Sequence, residues 1–333
     1  MPIKIGVIGC GAWATTVASL FAQNNHKVMM WCHKTEYAKN IHYNHENPQV
    51  LPGIKLPLSV QASTVLETVL HEAEFLVLGV ASPYVINTVD LLKAHSPTVP
   101  ILSLTKGLLD NDTLFTSDYV NQALPKSSIA VLSGPNLALE IAQQKPAATV
   151  IASENIDTAK AFQTLLNSPL FRVYVSQDVR GIELGGILKN MIAISAGIVD
   201  GLELGHNAKA ALVTRGLQEM IRFGTRFNAK AETFYGLSGL GDLLATCDSP
   251  KSRNWQVGSK IGQGHTLESL TLGSAVPEGI KTIRLVFQIA NTLRIDMPIT
   301  QHLFKVLYEN MPVKEAVHIL MSRDSKSEQN KVS

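Results

Sequence analysis

Ile3-Lys4-Ile5-Gly6-Val7-Ile8 runs without a break into Gly9-Cys10-Gly11-Ala12-Trp13-Ala14, and an apolar helical pattern follows at once. A short aliphatic run with β-branched residues is a buried strand. The glycines that close it have separate uses: Gly9 permits a tight turn, Gly11 lets the backbone come close to a pyrophosphate, and Ala14 is small enough for the helix to pack on the strand. Trp13, Val17, Leu20 and Phe21 keep apolar groups on one helix face. The start of that helix offers free N–H groups and a partial positive charge to phosphate oxygens. The strand before it and the helix after it give the pattern its weight as a dinucleotide site.

Further strand-like runs follow at Val28 to Trp31, Phe75 to Val80, Ile101 to Leu104, Ile129 to Leu132, Thr149 to Ala152 and Phe171 to Val175. Strand and helix in alternation predict a parallel, Rossmann-type doubly wound sheet with right-handed crossovers. Ile41 to Pro57, rich in Asn, His and Pro, reads as a loop interrupting one crossover. Its His42 and His45 lack a third ligand at metal-site spacing, so no metal is expected there. After Gln177 the texture changes to long helical patterns at Val179 to Val199, Lys209 to Phe227, Pro277 to Leu293 and Pro298 to Glu309. The expected division is a nucleotide-binding domain over 1–177, an all-helical domain over 178–322 and a disordered polar tail over 323–333. The first long helix is apolar almost all round, with Gly181, Gly185 and Gly186 admitting close neighbours, and should run through the middle of its domain.

The 333 residues are 45% hydrophobic and 17% charged, with a net charge of +2. That balance excludes a disordered chain and supplies no basic field for nucleic acid or an anionic membrane surface. Cys10, Cys32 and Cys247 form no CxxC pair and suit a reducing compartment, each reading as a small buried side chain. The apolar run before Cys10 is too short for an export signal, so a cytoplasmic protein without membrane insertion is expected. The second strand ends in Cys32-His33-Lys34, where a strict NAD site would carry an acidic residue for the ribose hydroxyls. An imidazole and an ammonium there suit a 2′-phosphate and favour NADPH over NADH. An ordinary solvated turn is the alternative, and Glu36 remains within reach of a ribose.

Downstream come Thr105-Lys106-Gly107, Ser133-Gly134-Pro135-Asn136, Gly185-Gly186-Ile187-Leu188-Lys189-Asn190, Gly239-Leu240-Gly241-Asp242-Leu243, Ser252-Arg253-Asn254 and Pro277-Glu278-Gly279. With the Gly9 turn, this ordered series resembles the bacterial NAD(P)-dependent sn-glycerol-3-phosphate dehydrogenase family over roughly residues 3 to 321. The resemblance implies a helical domain like the C-terminal domain of 6-phosphogluconate dehydrogenase and reversible reduction of dihydroxyacetone phosphate to sn-glycerol 3-phosphate, supplying glycerophospholipid synthesis. It allows a homodimer. It also implies that Lys189 is the proton donor and acceptor, and that Lys106, Gly134, Asn136, Asp242, Ser252, Arg253 and Asn254 hold the substrate. Ala12, Trp13, His33, Lys106, Ala138, Arg253, Val276 and Glu278 match cofactor positions, beside Gly9, Gly11 and Ala14 of the turn. The chain departs from the family at Ala12, where Ser is usual, at Ala14, where Gly is usual, and at Asn136, where Ser or Thr is usual.

The chemistry of the residues points the same way. Hydride addition to a ketone builds negative charge on its oxygen and calls for a cation that also delivers a proton. Lys189 is desolvated by its apolar helix, which eases release of its proton, unless the side chain snorkels to the surface. Lys106 follows a strand, where open α/β sheets place ligands, and would orient the substrate. Asp242 could fix the direction and charge of Lys189, accept a substrate hydroxyl, or simply cap a turn. Arg253 brings a planar fork suited to a phosphate monoester, with Ser252 and Asn254 beside it. Another reductase of the 6-phosphogluconate dehydrogenase or ketopantoate reductase type would lack the Gly239 to Asp242 turn followed by Ser252-Arg253-Asn254. A regulator that only senses a dinucleotide would have no use for a buried Lys189.

Overall fold

The structure is a computed structural model and describes residues 1–109, 114–271 and 277–324. The chain divides into two compact units, Met1–Glu183 and Leu184–Ser333.

The first unit is built on one eight-stranded sheet: β1 (Lys4–Ile8), β2 (Lys27–Trp31), β3 (Val60–Ser63), β4 (Phe75–Leu78), β5 (Ile101–Ser103), β6 (Ile129–Ser133), β7 (Ala147–Ala152) and β8 (Phe171–Ser176). The strands lie in the order β3-β2-β1-β4-β5-β6-β7-β8. The helices are α1 (Ala12–Gln23), α2 (Thr35–Lys39), α3 (Leu66–Leu70), α4 (Val85–Lys93), α5 (Thr116–Ala123), α6 (Ala138–Ala142) and α7 (Ile156–Leu166). One face of the sheet buries Val17 and Phe21 of α1 with Phe162 and Leu165 of α7. The other buries Val85, Val89 and Leu92 of α4 with Val120 and Leu124 of α5. Each fully enclosed side chain of this size contributes about 1.5–3 kcal/mol, so both faces hold the strands in register.

Three features differ from the sequence reading. β3 was not anticipated, because as an edge strand it turns only Val60 and Ala62 inward and leaves Gln61 in solvent. β7 runs antiparallel to β6, pairing Leu132 with Ile151, whereas a fully parallel sheet was expected. The cause is the connection: α6 has only five residues, about 7.5 Å of helix, too short to return the chain to the opposite edge for a parallel crossover. The segment carrying Gly134, Asn136 and Ala138 therefore stays at the carboxyl ends of the strands. Ile41 to Pro57 is more ordered than a plain loop, since a π-helical turn covers Asn40–Asn44 and Glu46 bridges to Lys55.

The unit boundary falls inside α8 (Val179–Gly201). This helix has the length and hydropathy of a membrane span, yet the apolar stretch is buried inside the protein. The remaining helices are α9 (Gly205–Thr225), α10 (Asp242–Cys247), α11 (Arg253–Gly262), α12 (Leu267–Thr271), α13 (Glu278–Thr292), α14 (Pro298–Tyr308) and α15 (Val313–Met321). α8 and α11 cross at glycines: a Cβ on Gly258 would strike the Ile194 carbonyl oxygen, and one on Gly197 would strike that of Trp255. The small residues of α11 make that contact possible and set its first residues against α8. Of the polar tail read over 323–333, only Arg323 and Asp324 are within the described residues.

Candidate active site

In the first unit the turn after β1 has the backbone that its sequence demands. Gly9 has φ +117°, and a Cβ on it would lie 2.6 Å from the Gly79 carbonyl oxygen, so no other residue fits. A Cβ on Gly11, by contrast, would meet nothing within 4 Å. Protein packing does not require glycine there, and the open space suits a ligand approaching the backbone. α1 begins at once with Gly11 as its N-cap and no side chain capping it, leaving its first N–H groups directed outward. The Ala14 departure is absorbed by its neighbour: a Cβ on Gly79 would lie 2.6 Å from that of Ala14, so the close helix–strand approach is kept by glycine on the strand side. The indole Nε1 of Trp13 is buried without a hydrogen-bond partner.

Asn47 holds this turn from the 41–57 segment. Fully buried, its Nδ2 donates to the Cys10 carbonyl and to Thr15 Oγ1, both at 2.9 Å. Its role is not legible from local sequence, because its partners lie more than thirty residues away and an Asn-Pro pair in a polar stretch reads as an ordinary turn. At the end of β2, His33 and Lys34 are exposed and gather around Tyr37, with Lys34 Nζ 5.6 Å from the ring centre. Glu36 accepts a 2.7 Å hydrogen bond from Gln49.

Lys106 lies just beyond β5, and its Nζ donates to the Gly134 carbonyl at 3.0 Å. Thr105 Oγ1 donates to Val80 O at 2.9 Å and ties this segment to the end of β4. Asn136 donates through Nδ2 to Thr149 Oγ1 at 3.0 Å, while its Oδ1 is buried without a partner. Ala138 opens α6, and its carbonyl accepts from Thr16 Oγ1 at 3.2 Å, pinning α6 to α1. Lys106 is thus bonded to Gly134 and Asn136 to Thr149, side by side on the sheet's carboxyl edge.

In the second unit a π-helical turn at Leu237–Gly241 leads into α10. It packs against α8 at Gly185, where a Cβ would come within 2.6 Å of the Ser238 carbonyl oxygen. That contact aims the start of α10 at Lys189. Lys189 does not snorkel to the surface; it is 8% exposed, and its Nζ donates to Asp242 Oδ1 and to Thr246 Oγ1, each at 2.7 Å. Asp242 is 2% exposed and sits in the first turn of α10, where the helix dipole favours its charge. Thr246 in turn donates to the Asp242 carbonyl at 2.6 Å. Thr246 escaped the sequence reading although its spacing of four from Asp242 was visible.

Ser252 is the N-cap of α11, its Oγ accepting from Trp255 N at 3.3 Å. Asn254 is engaged at both ends of its amide: Nδ2 donates to Asn190 Oδ1 at 2.9 Å, and Oδ1 accepts from Gly279 N at 3.2 Å. These two side chains anchor the helix start that carries Arg253, which is exposed and forms no ion pair among the described residues. Glu278 opens α13 beside Gly279. Val276 lies outside the described residues. Among those that are described, no group of three or more His, Cys, Asp or Glu could hold a metal ion.

A sheet with a glycine turn built for a dinucleotide, and a helical unit with a lysine–carboxylate pair in its apolar centre, are the parts of a two-domain dehydrogenase. The model of the NAD-dependent glycerol-3-phosphate dehydrogenase N-terminus matches residues 4–159, and that of the C-terminus matches 178–318. The chain is 43% identical to a glycerol-3-phosphate dehydrogenase [NAD(P)+] of Geobacter metallireducens, over 98% of each chain. It is 40% identical to one of Bacillus pumilus, over 96% of this chain and 94% of the relative. The crystal structure of a glycerol-3-phosphate dehydrogenase from Coxiella burnetii superposes with a TM-score of 0.91 at 34% identity, covering 97% of this chain and 99% of that one. The chain belongs to the NAD-dependent glycerol-3-phosphate dehydrogenase family.

Proposed function

We propose that this protein reduces dihydroxyacetone phosphate to sn-glycerol 3-phosphate, and the reverse, using NADPH at least as well as NADH. The observation that carries the reading is Lys189, a buried ammonium bonded to Asp242 and Thr246 in a largely apolar helix. An ion pair placed there costs desolvation that an apolar pair would avoid, which favours a chemical purpose over a structural one.

The dinucleotide would lie on the Gly9 turn and supply the hydride when bound. Gly9 shapes the turn with its own N–H bonded to Trp31 O, Gly11 and Ala12 to Ala14 would present backbone N–H groups to the phosphates, and the unpartnered Trp13 Nε1 offers one more donor. His33 and Lys34 would attract a 2′-phosphate, with Glu36 already engaged by Gln49. We assign Ala138, Val276 and Glu278 to further cofactor contacts. Lys189 gives its proton to the carbonyl oxygen of the substrate and stabilises the charge that grows there. Asp242 orients Nζ through its 2.7 Å bond, and Thr246 limits the directions in which Nζ can point. Arg253 would clamp the substrate phosphate, with Ser252 and Asn254 fixing the helix start beneath it. Lys106, Gly134 and Asn136 would orient the rest of the substrate. We place the protein in the cytoplasm, which agrees with its three unpaired cysteines, and allow a homodimer.

The test is turnover of dihydroxyacetone phosphate and of its unphosphorylated parent with NADPH and NADH in parallel. Turnover of the phosphate ester with NADPH is expected, and strict dependence on NADH would contradict the reading of His33 and Lys34. Replacing His33 by Asp is expected to move preference toward NADH by the ratio of kcat/KM values, since a carboxylate accepts from ribose hydroxyls and repels a 2′-phosphate.

A further inference from the structure

Two thiols meet beneath the dinucleotide turn. β1 and β2 run parallel in a register that pairs Ile8 with Trp31, and Gly9 N donates to Trp31 O at 3.1 Å. The residues just beyond, Cys10 and Cys32, leave neighbouring strands side by side. Both enter the core on the face that buries Val7, Val17 and Met30. Both thiols belong to one buried cluster at the ends of adjacent strands. Neither is in a disulfide, and Cys10 is 4% exposed while Cys32 is fully enclosed.

The two sulfurs are not equivalent. The neighbouring Cys32 holds the Cys10 thiol below the ordinary thiol range against the effect of burial, helped by the Lys34 charge and the His33 backbone. Cys10 in turn, with burial, pushes Cys32 upward. One member is a nucleophile and the other keeps its proton until it is needed. Access lies along the turn: Cys10 stands between two glycines, and the space beside Gly11 is open.

We propose that Cys10 and Cys32 form a reversible disulfide on exposure to a hydroperoxide, and that this bond closes the dinucleotide site. The Cys10 thiolate attacks one peroxide oxygen, the O–O bond breaks, hydroxide or alkoxide leaves, and Cys10 becomes a sulfenic acid. Cys32 then gives its proton to the departing oxygen and attacks the Cys10 sulfur. The S–S bond forms as the S–O bond breaks, and water leaves. Two thiols lose two electrons and two protons, and the peroxide is reduced to two waters, or to water and an alcohol.

Closure follows from which backbone can move. A disulfide holds its sulfurs at about 2.05 Å with a set dihedral angle, and whatever main-chain adjustment it demands falls on the less constrained of the two residues. Cys32 is fixed in the sheet, its N–H donating to Ser63 O at 3.0 Å. Cys10 is held through side chains on its carbonyl, from Asn47 at 2.9 Å and Thr15 at 3.4 Å, and lies between two glycines outside the strand ladder. The displacement therefore falls on the turn whose N–H groups would face the pyrophosphate, where an error of about 1 Å can cost on the order of 100-fold.

The proposal rests on the dinucleotide reading of the Gly9 turn, and one experiment separates the two. The full-length protein is treated with hydrogen peroxide, with and without NADPH. NADPH binding is then read by fluorescence and the thiols by peptide mass mapping without reductant. The expected result is a linked pair of peptides containing Cys10 and Cys32, lighter by two hydrogens, with NADPH affinity at least roughly tenfold weaker. Dithiothreitol should restore binding, and bound NADPH should slow the reaction. Cys32→Ala should bind NADPH normally, resist inactivation by linkage, and carry a Cys10 sulfenic acid that dimedone traps. If that variant does not fold, reversal by dithiothreitol in the unaltered protein carries the test. A linked pair with unchanged NADPH affinity, or peroxide treatment that leaves both thiols free, would overturn the switch. Untreated protein that fails to bind NADPH would instead contradict the dinucleotide reading, while the peptide map would still report the disulfide.

Discussion

Asp242 and Glu219 are both carboxylates sealed inside the helical unit, 2% and 1% exposed, yet they are built for different work. Asp242 faces a cation, Lys189 Nζ at 2.7 Å. Glu219, on α9, is hydrogen-bonded to the start of α14: it accepts from Ile299 N at 2.6 Å, Thr300 N at 3.0 Å and Thr300 Oγ1 at 2.8 Å. It caps that helix from outside, and burial pushes it up to about 7 in spite of those bonds and the Arg222 charge. A carboxylate that serves as a cap needs only donors. One that sits opposite a mobile proton needs a titratable partner, and on the proposed reading this difference separates Lys189–Asp242 from Glu219.

Asp242→Asn breaks the comparison most sharply. The amide keeps a hydrogen-bonding oxygen for Lys189 but removes the charge that pairs with it, so kcat should fall by roughly 100-fold, the lower range for a positioned acid. Stability should fall too, since an unpaired buried charge costs about 3–5 kcal/mol. Steady-state kinetics beside chemical denaturation read both. Arg253→Ala probes an exposed charge instead: charge-assisted bonds are worth about 1.5–3 kcal/mol, so kcat/KM for dihydroxyacetone phosphate should fall by at least roughly tenfold with little loss of stability. The KM for NADPH, measured alongside, tells whether Arg253 also touches the cofactor.

Glu219→Gln should have the smallest effect on turnover, none beyond error, and a clear one on the pH profile of stability. With a native value of about 7 above the unfolded 4.5, folded Glu219 holds its proton where the unfolded chain has lost it. Its contribution is full below about 4.5 and is lost as pH rises through about 7. Thermal unfolding across that window should show stability declining with pH in the parent and a flatter profile in the variant. An identical slope in both would show that Glu219 does not titrate there.

The parts legible in the sequence were those whose physics is local. The Gly9 turn can be read because strand, glycines and helix are contiguous, and the long helices because their apolar faces repeat. β3 was hidden by its edge position, and the reversal of β7 by the shortness of α6, which Ala138–Ala142 alone does not announce. In the site, Lys189 and Asp242 stand out singly, but their pairing depends on the π-helical turn and on Gly185 meeting Ser238. Ser252 and Asn254 invited a phosphate-binding reading from their chemistry. Their bonds to Trp255 N, Asn190 and Gly279 N arise only once α11 crosses α8 at glycines that look like helix breakers. Asn47 could not be found at all, since nothing near it in sequence shows that it supports Cys10.

The central claim, that Lys189 supplies the proton, is tested most directly by Lys189→Met, which keeps the apolar stem and removes the ammonium. Single-turnover oxidation of NADPH with dihydroxyacetone phosphate is measured beside NADPH binding and circular dichroism. The account predicts a folded protein that binds NADPH as the parent does, because the Gly9 turn belongs to the other unit, and turns over on the order of 10²–10⁴ more slowly. A folded, NADPH-binding variant with near-parental turnover would contradict it and move the proton donor to Lys106.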